Sequence, residues 1–252
     1  LRYVDNEERA DREGSTDQVQ GQERNLARIA ASRMTDITLN EQRVVKKMLA
    51  QSALFSQAAA VQEAFATAYQ GDLTNDQDPQ MEAARQQLRA YFAAIEKGYR
   101  QAENGSDLRL HFHVPPARSL LRLWKKQQNK SDDLTTFRNT IKDISSGSHA
   151  PITGIEIGRG GFAIRGIAPV MGPDGRFLGS VESLASYDPI VKFSISSANE
   201  YIAVYMNKAF LPIATGVAEL ALAVVFESGV VHMADATRGY RSLPEYAERC
   251  SG

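Results

Sequence analysis

The sequence predicts an α+β protein in which a long N-terminal helix packs on a PAS-like antiparallel sheet, followed by a smaller α/β module. Apolar residues recur at three- and four-residue spacing from about residue 21 to 70, and no proline interrupts them, which is typical of a long amphipathic helix. Residues 152–185 then contain three consecutive strand patterns. Strands and helices nowhere alternate regularly, so an antiparallel sheet is favoured over a parallel one.

Composition excludes several classes of protein. Hydrophobic residues make up 43% of the chain and charged residues 23%, as in soluble globular proteins. A formal net charge of -1 argues against a nucleic-acid partner. The single cysteine, Cys250, excludes an intramolecular disulfide and a cysteine-based metal cage. No apolar run reaches the ~20 residues that a membrane span needs. Because the chain begins without methionine and ends in RCSG, we expect an excised piece of a longer protein.

The N-terminal region predicts a dimerisation helix. Residues 1–20 are polar and are expected to fray. A helix of ~45 residues from residue 21 would be ~65 Å long, more than a core of this size needs, so it is expected to lie along a partner or to lead away from a membrane. We assign the apolar stripe of residues 26–49 to a dimer contact.

A second helix is predicted at about 80–103, after a turn-rich break and before a cap at Gly105. The segment LRLHFH (108–113) then alternates strictly between apolar and polar residues and predicts a strand. Pro115-Pro116 is expected to end this strand, and Pro116 to begin a helix over ARSLLRLWKKQQ. A short helix is predicted within 134–148. GRGG (158–161) and Pro-Asp-Gly (173–175) predict hairpin turns, and the tail predicts a strand at 200–207 and a final hairpin at 219–237.

His111 and His113 share one face of the first predicted strand, as two imidazole ligands of a metal would. Such sites need further ligands, and only His149 and His232 remain among the histidines. The prediction is therefore no metal. Two interpretations stay open for this pair: a pocket wall that hydrogen-bonds an anion, or a structural or surface pair.

The predicted helix that follows places Arg118 and Arg122 on one face, four residues apart. An anion would relieve their mutual repulsion, and the planar guanidinium group suits bidentate binding of a carboxylate. The alternative is that both are solvated or paired with acids such as Glu156 and Glu182. Trp124 fits either the core or a pocket wall.

Arg165 lies on the predicted strand FAIRGIAPV beside small and apolar residues, so it needs a partner, either a ligand or Glu182 on the adjoining strand. Asp174 is expected to stabilise its turn. The sequence shows no nucleophile–base pair and no phosphate loop, so we do not expect an enzyme.

The long helix, the strand–Pro-Pro–helix segment and GIEIGRGGFAIRGIAPVMGPDGRFLGSVES together resemble the extracytoplasmic Cache sensor domains of bacterial transmembrane receptors. These PAS-like domains include the double-Cache type of methyl-accepting chemotaxis proteins and of some sensor kinases. The likeness covers most of residues 25–210. It implies a dimerisation helix at 21–75 after the polar segment 1–20, a membrane-distal ligand-binding module at 76–187 and a smaller membrane-proximal module at 188–252.

The resemblance also implies a periplasmic domain of a membrane-anchored homodimer with no cofactor. Arg122-Leu123-Trp124 matches the Arg-x-Trp pair of amino-acid-binding members, but Lys125 replaces the aromatic residue that usually follows. We therefore expect a small organic anion, a short-chain carboxylate such as acetate, whose binding displaces a helix across the membrane. The predicted ligand-binding residues are His111, His113, Arg118, Arg122, Trp124, Arg165 and Glu182.

Three alternatives remain open from the sequence. The output could be a histidine kinase or a diguanylate cyclase instead of a chemoreceptor. The chain could be a metal-dependent hydrolase that uses His111 and His113. It could also be a structural helical module with a vestigial pocket.

Overall fold

The computed structural model describes residues 2–126, 131–196, 202, 205–215, 224–225 and 230–232. Its N-terminal half consists of three helices: α1 (Arg2–Ser56), α2 (Ala59–Ala68) and α3 (Pro79–Ala102). The predicted long helix is confirmed, but it begins at Arg2, so the polar segment that we expected to fray is helical. It also ends earlier than predicted, and α2 continues as a separate helix whose Phe65 packs against Phe112.

The boundaries of α3 follow from its capping residues. Asp78 accepts hydrogen bonds from the backbone N–H groups of Gln80 and Met81, and Pro79 occupies the first turn. After the last turn Gly105 adopts a φ of 84°, a conformation that glycine reaches without steric cost. Both ends of this helix were predicted from the sequence.

The central element is a five-stranded antiparallel sheet in the order β2-β1-β5-β4-β3. Its strands are β1 (Leu110–Val114), β2 (Arg118–Arg122), β3 (Ile152–Gly158), β4 (Gly161–Met171) and β5 (Phe177–Ala185). The helix α4 (Asn139–Ser146) lies between β2 and β3 in the chain. The fold class predicted from the sequence is confirmed, including both hairpins of β3, β4 and β5.

The prediction of a helix after Pro116 is wrong, because residues 118–122 form strand β2, which pairs antiparallel with β1. Leu120, Leu121 and Leu123 are all buried, so pairing and packing override the helical propensity of this Leu- and Arg-rich segment. A bulge between Phe112 and His113 shifts the register of the pair.

The sheet has two distinct faces. On the helix face, α1 and α2 pack over β4 and β5, and α3 packs over β2. Phe65 of α2 and Phe92 of α3 also contact Phe112 of β1. On the opposite face, called here the covered face, residues 131–138 and α4 lie over the sheet, with Ile141 and Ile144 packed against Ile167. The helix-face core under α2 and α3 is built mainly from Phe65, Met81, Leu88, Phe92, Leu110, Phe112 and Val181.

The C-terminal region contains α5 (Asp188–Ser194), β6 (Tyr205–Asn207), a 3-10 turn (Lys208–Phe210), β7 (Val224–Val225) and β8 (Val230–His232). The last three strands form a second antiparallel sheet in the order β6-β8-β7. The predicted final hairpin is present where this region is described, and the rest of it lies outside the described residues. The domain boundaries remain predictions. Within the described ranges, no helix has both the length and the apolar character needed to span a bilayer.

Candidate functional site

Five ionisable side chains meet on the covered face and are almost completely buried; we call them the Glu182 cluster. They come from β1, β4, β5 and the residue before α4, and their exposed fractions range from 0% to 4%. The strand register brings them together, because His111 pairs with Glu182 across β1 and β5, and Glu182 faces Ile167 of β4. The members are His111, His113, Arg138, Arg165 and Glu182.

Glu182 is the centre of this cluster. Its Oε1 accepts hydrogen bonds from Arg165 Nη1, at 2.9 Å, and from Arg138 Nη2. Of the two partners that the sequence left open for Arg165, a ligand or Glu182, the structure shows the bond to Glu182. Burial disfavours the ionised form of Glu182, but the two guanidinium groups outweigh it and hold the pKa of this carboxyl well below its usual range.

The two histidines flank the other oxygen of the same carboxylate. Glu182 Oε2 lies 3.4 Å from His111 Nδ1 and 3.5 Å from His113 Nε2. The remaining ring nitrogens contact hydroxyl groups, with His111 Nε2 2.8 Å from Ser119 Oγ and His113 Nδ1 3.2 Å from Ser180 Oγ. Burial lowers the pKa of His111 to about 3 and lowers that of His113 well below its usual value, so both imidazoles are neutral near pH 7.

Two further ion pairs border the cluster. Arg122 makes a bidentate pair with Asp132, with N–O distances of 2.8 and 2.9 Å. Arg138 donates to Glu156 at 3.0 Å as well as to Glu182, and Thr140 donates both its N–H and its hydroxyl to Glu156. These bonds attach residues 131–138, called here the covering segment, and the first turn of α4 to the sheet.

Three buried polar atoms of the cluster have no hydrogen-bond partner: His113 Nε2, Arg165 Nε and Glu182 Oε2. An unpaired buried polar atom costs about 1–3 kcal/mol, and native proteins contain few of them. Two of them, His113 Nε2 and Glu182 Oε2, lie 3.5 Å apart without forming a hydrogen bond. Of these atoms, Arg165 Nε is a donor and Glu182 Oε2 is an acceptor.

The structure brings four of the predicted site residues together, namely His111, His113, Arg165 and Glu182, and places Arg122 beside them. Arg118 lies elsewhere because the bulge pairs it with Val114, whose side chain belongs to the helix-face core. It donates to Ser131 and to the Thr74 carbonyl. Arg118 and Arg122 therefore do not share a face, and neither pairs with Glu156 or Glu182.

Trp124 lies at the edge of the sheet. Its ring meets that of His111 edge to face, with centroids 6.1 Å apart. On its other side it lines an open groove of about 470 Å³ between the end of β2 and α3, together with Arg89, Glu96 and Arg100. Trp124 is thus only partly a core residue.

Sequence reasoning missed Arg138, Asp132, Ser119 and Ser180. Arg138 is the most important of them because it bridges Glu156 and Glu182. A buried arginine directly before a short amphipathic helix gives no pattern of its own. The serines could have been found only with the strand register, which places Ser180 opposite His113.

Part of the chain matches a known protein family. Residues 85–192 match the family model dCache_3, described as the double sensory domain of two-component sensor kinase. No curated protein matches the sequence. Over these residues the chain is therefore similar to a sensory domain of the double-Cache type. The family is defined by a sensory role, in agreement with the prediction of a non-enzymatic domain.

The chain is also similar in structure to the ligand-binding domain of the Campylobacter jejuni chemoreceptor Tlp3. The crystal structure with L-norvaline has a TM-score of 0.36 at 9% identity, covering 73% of this chain and 67% of that one. The structure with 4-methylisoleucine has a TM-score of 0.33 at 10% identity, and the match covers 72% of this chain and 68% of that one. The structure with L-valine has a TM-score of 0.33 at 11% identity, and the match covers 69% of this chain and 72% of that one.

Proposed function

We propose that the chain is the periplasmic ligand-binding domain of a membrane-anchored receptor, and that its ligand binds at the Glu182 cluster. The observation that supports this is the group of unpartnered atoms on the covered face. In the wider class of small-ligand sites, a few convergent polar groups fix the ligand in an otherwise apolar surrounding. Because the cluster is buried, the covering segment 131–138 moves when the ligand enters.

The ligand is a small organic anion that also carries a hydrogen-bond donor. A carboxylate satisfies Arg165 Nε, and a hydroxyl or ammonium group satisfies Glu182 Oε2. The arginines of the site already have acidic partners, in Glu182, Glu156 and Asp132. A hydroxy acid or an amino acid therefore fits this balanced site better than acetate, which has no donor.

The signal leaves the domain through α1. Ser52 of α1 donates to the Gly166 carbonyl of β4 at 2.6 Å and accepts from the Ser183 N–H of β5 at 2.7 Å. A shift of β5 on ligand binding displaces α1, and the ligand drives this only through a difference in affinity between the two arrangements. The exposed Leu26, Ile29 and Met34 on the N-terminal part of α1 form the contact of a homodimer.

The type of receptor, chemoreceptor or histidine kinase, is proposed separately from its ligand. The sequence resemblance favours a chemoreceptor, whereas the description of the matched family favours a two-component histidine kinase. The full-length receptor in membranes separates the two, since only a kinase incorporates phosphate from ATP on its own histidine.

A thermal-shift screen with short carboxylates, 2-hydroxy acids, amino acids and amines tests the ligand class. A binder at 100 times its Kd raises the free energy of unfolding by about 2.7 kcal/mol. We expect the largest shifts from compounds that carry both a carboxylate and a donor. If only the amines stabilise the domain, or no class does, the proposal is wrong.

A further inference from the structure

Three ligand-type atoms converge on one point of the covered face. His111, His113 and Glu182 each offer one atom, and these atoms lie within 4.8 Å of one another. Two of the three separations are 3.4 and 3.5 Å, both measured to Glu182 Oε2. Ligand atoms at about 2.1 Å from a tetrahedral zinc ion lie about 3.4 Å apart, so this spacing fits a metal at their centre.

Two of these three atoms have no hydrogen-bond partner among the described residues. His113 Nε2 and Glu182 Oε2 are buried and have no hydrogen-bond partner, and they belong to residues that are 1% and 0% exposed. His111 Nδ1 lies 3.4 Å from the same carboxylate oxygen. A structural network would be expected to satisfy these atoms, whereas a metal site leaves them available.

The far side of each candidate ligand is held in place. His111 Nε2 bonds to Ser119 Oγ, His113 Nδ1 bonds to Ser180 Oγ, and Glu182 Oε1 is bound by arginine side chains. Metal-binding histidines generally donate their second ring N–H to such a partner, which fixes the tautomer and the ring orientation. Here that arrangement presents His111 Nδ1 and His113 Nε2 to the same point.

We infer that His111, His113 and Glu182 form a site for a divalent transition-metal ion, with one coordination position left open. The preferred ion is zinc. Two imidazoles and a carboxylate with an open position form a donor set that zinc accepts.

The surrounding charges determine what occupies the open position. Arg138 and Arg165 already lie on the far oxygen of Glu182, so a dication adds positive charge to a buried site. An anionic fourth ligand offsets this charge. This step rests on the proposed function: the carboxylate of the sensed ligand coordinates the metal, and the metal then replaces the ligand's own donor at Glu182 Oε2.

Metal binding is tested directly on the chain, purified without a histidine tag and stripped with EDTA. Calorimetric titration with zinc chloride and elemental analysis after dialysis should both give one zinc per chain. A cobalt(II) titration should give the intense visible bands of a tetrahedral complex. A wild-type chain that takes up no zinc and gives no such bands overturns the inference.

Three variants localise the site. The double variant His111→Asn/His113→Asn should lose the bound zinc, and Ser119→Ala should weaken zinc affinity about 10-fold by releasing one ring. His149→Gln, which removes a histidine that stacks on Phe177 outside the cluster, should bind zinc as the wild type does. Zinc retained by the double variant, or lost in His149→Gln, contradicts the assignment.

Repeating the thermal-shift screen on stripped and on zinc-loaded protein separates the two proposals. Organic binders found with stripped protein that takes up no zinc overturn the metal inference alone. Stoichiometric zinc at this site without any organic binder overturns the proposed ligand and leaves the metal inference supported.

Discussion

Glu182 and Ser183 are consecutive residues of β5 whose side chains lie on opposite faces of the sheet. Glu182 accepts from Arg165 on the covered face, whereas the Ser183 hydroxyl donates to Gln51 of α1 at 2.7 Å. The Ser183 N–H also donates to Ser52 of α1. One backbone step therefore connects the candidate ligand site to the helix that we propose carries the signal.

The contact between α1 and the sheet depends on a glycine. A Cβ at Gly166 would overlap the backbone of Met48 and Leu49, so Gly166→Ala should lower the free energy of unfolding by about 3 kcal/mol. Gly98→Ala is the matched control, because nothing lies near its Cβ on the exposed side of α3, and it should stabilise the chain by about 0.5–1 kcal/mol. Urea denaturation measures both, and equal effects would contradict the close packing of α1.

Removing the charge of Glu182 should strongly lower the free energy of unfolding. In Glu182→Gln, Arg138 loses one of its two acidic partners and Arg165 loses the carboxylate that binds it. We therefore expect the free energy of unfolding to fall by about 3–5 kcal/mol. Glu156→Gln should cost less, since Arg138 keeps Glu182 and the Glu156 side chain is 14% exposed. Chemical denaturation of the two variants gives the comparison. If Glu156→Gln proves the more damaging, Glu182 is not the centre of the cluster.

The buried histidines predict a loss of stability in mild acid. The pKa of His111 is about 3 in the folded chain and 6.5 in the unfolded chain. Between these values the unfolded state holds a proton that the folded state lacks, so the free energy of unfolding falls as the pH falls from 6.5 toward 3. At pH 5 this amounts to about 2 kcal/mol for His111, and His113 acts in the same direction.

Urea denaturation at pH 7 and pH 5, with EDTA present, measures this effect. The double variant His111→Asn/His113→Asn should lose most of the pH dependence in this interval. The carboxyl of Glu182 contributes only at lower pH, where its own protonation in the unfolded state begins. A wild-type stability that is the same at pH 7 and pH 5 would mean that the histidines are not held neutral.

The dimer contact is tested on the exposed part of α1. Leu26 and Met34 are 65% and 61% exposed, so Leu26→Glu/Met34→Glu should leave the fold intact and shift the chain from dimer to monomer. Sedimentation velocity over a range of concentrations measures the shift. Leu54→Glu is the control, because Leu54 is 70% exposed but lies near the other end of the helix. A dimer that Leu54→Glu disrupts and the double variant does not would place the contact elsewhere.

The fold could be predicted where the pattern was local. The strands β3, β4 and β5 each show their own pattern, and Pro-Asp-Gly and GRGG connect them through short turns, so their antiparallel register follows from adjacent sequence. This is why Glu182 could be named from the sequence as one of two possible partners of Arg165.

The features that could not be predicted from the sequence have a common physical cause, which is strand pairing between segments that are distant in the chain. Nothing local to Arg118 and Arg122 indicates that β1 will pair with β2 or that a bulge will turn the two arginines to opposite faces. The position of Glu182 beside the two histidines could not be predicted either, since its place opposite His111 depends on the pairing of β1 with β5.

The most direct test of the central claim is a calorimetric titration with the best compound from the thermal-shift screen. Arg165→Gln removes the donor that we assign to the ligand, and Arg118→Gln removes an arginine whose side chain bonds to Ser131 and Thr74 instead. We expect Arg165→Gln to weaken binding about 10-fold or more and Arg118→Gln to retain the wild-type Kd, since a hydrogen bond to a charged group contributes about 1.5–3 kcal/mol. Full affinity in Arg165→Gln together with a loss in Arg118→Gln would contradict a ligand site at the Glu182 cluster.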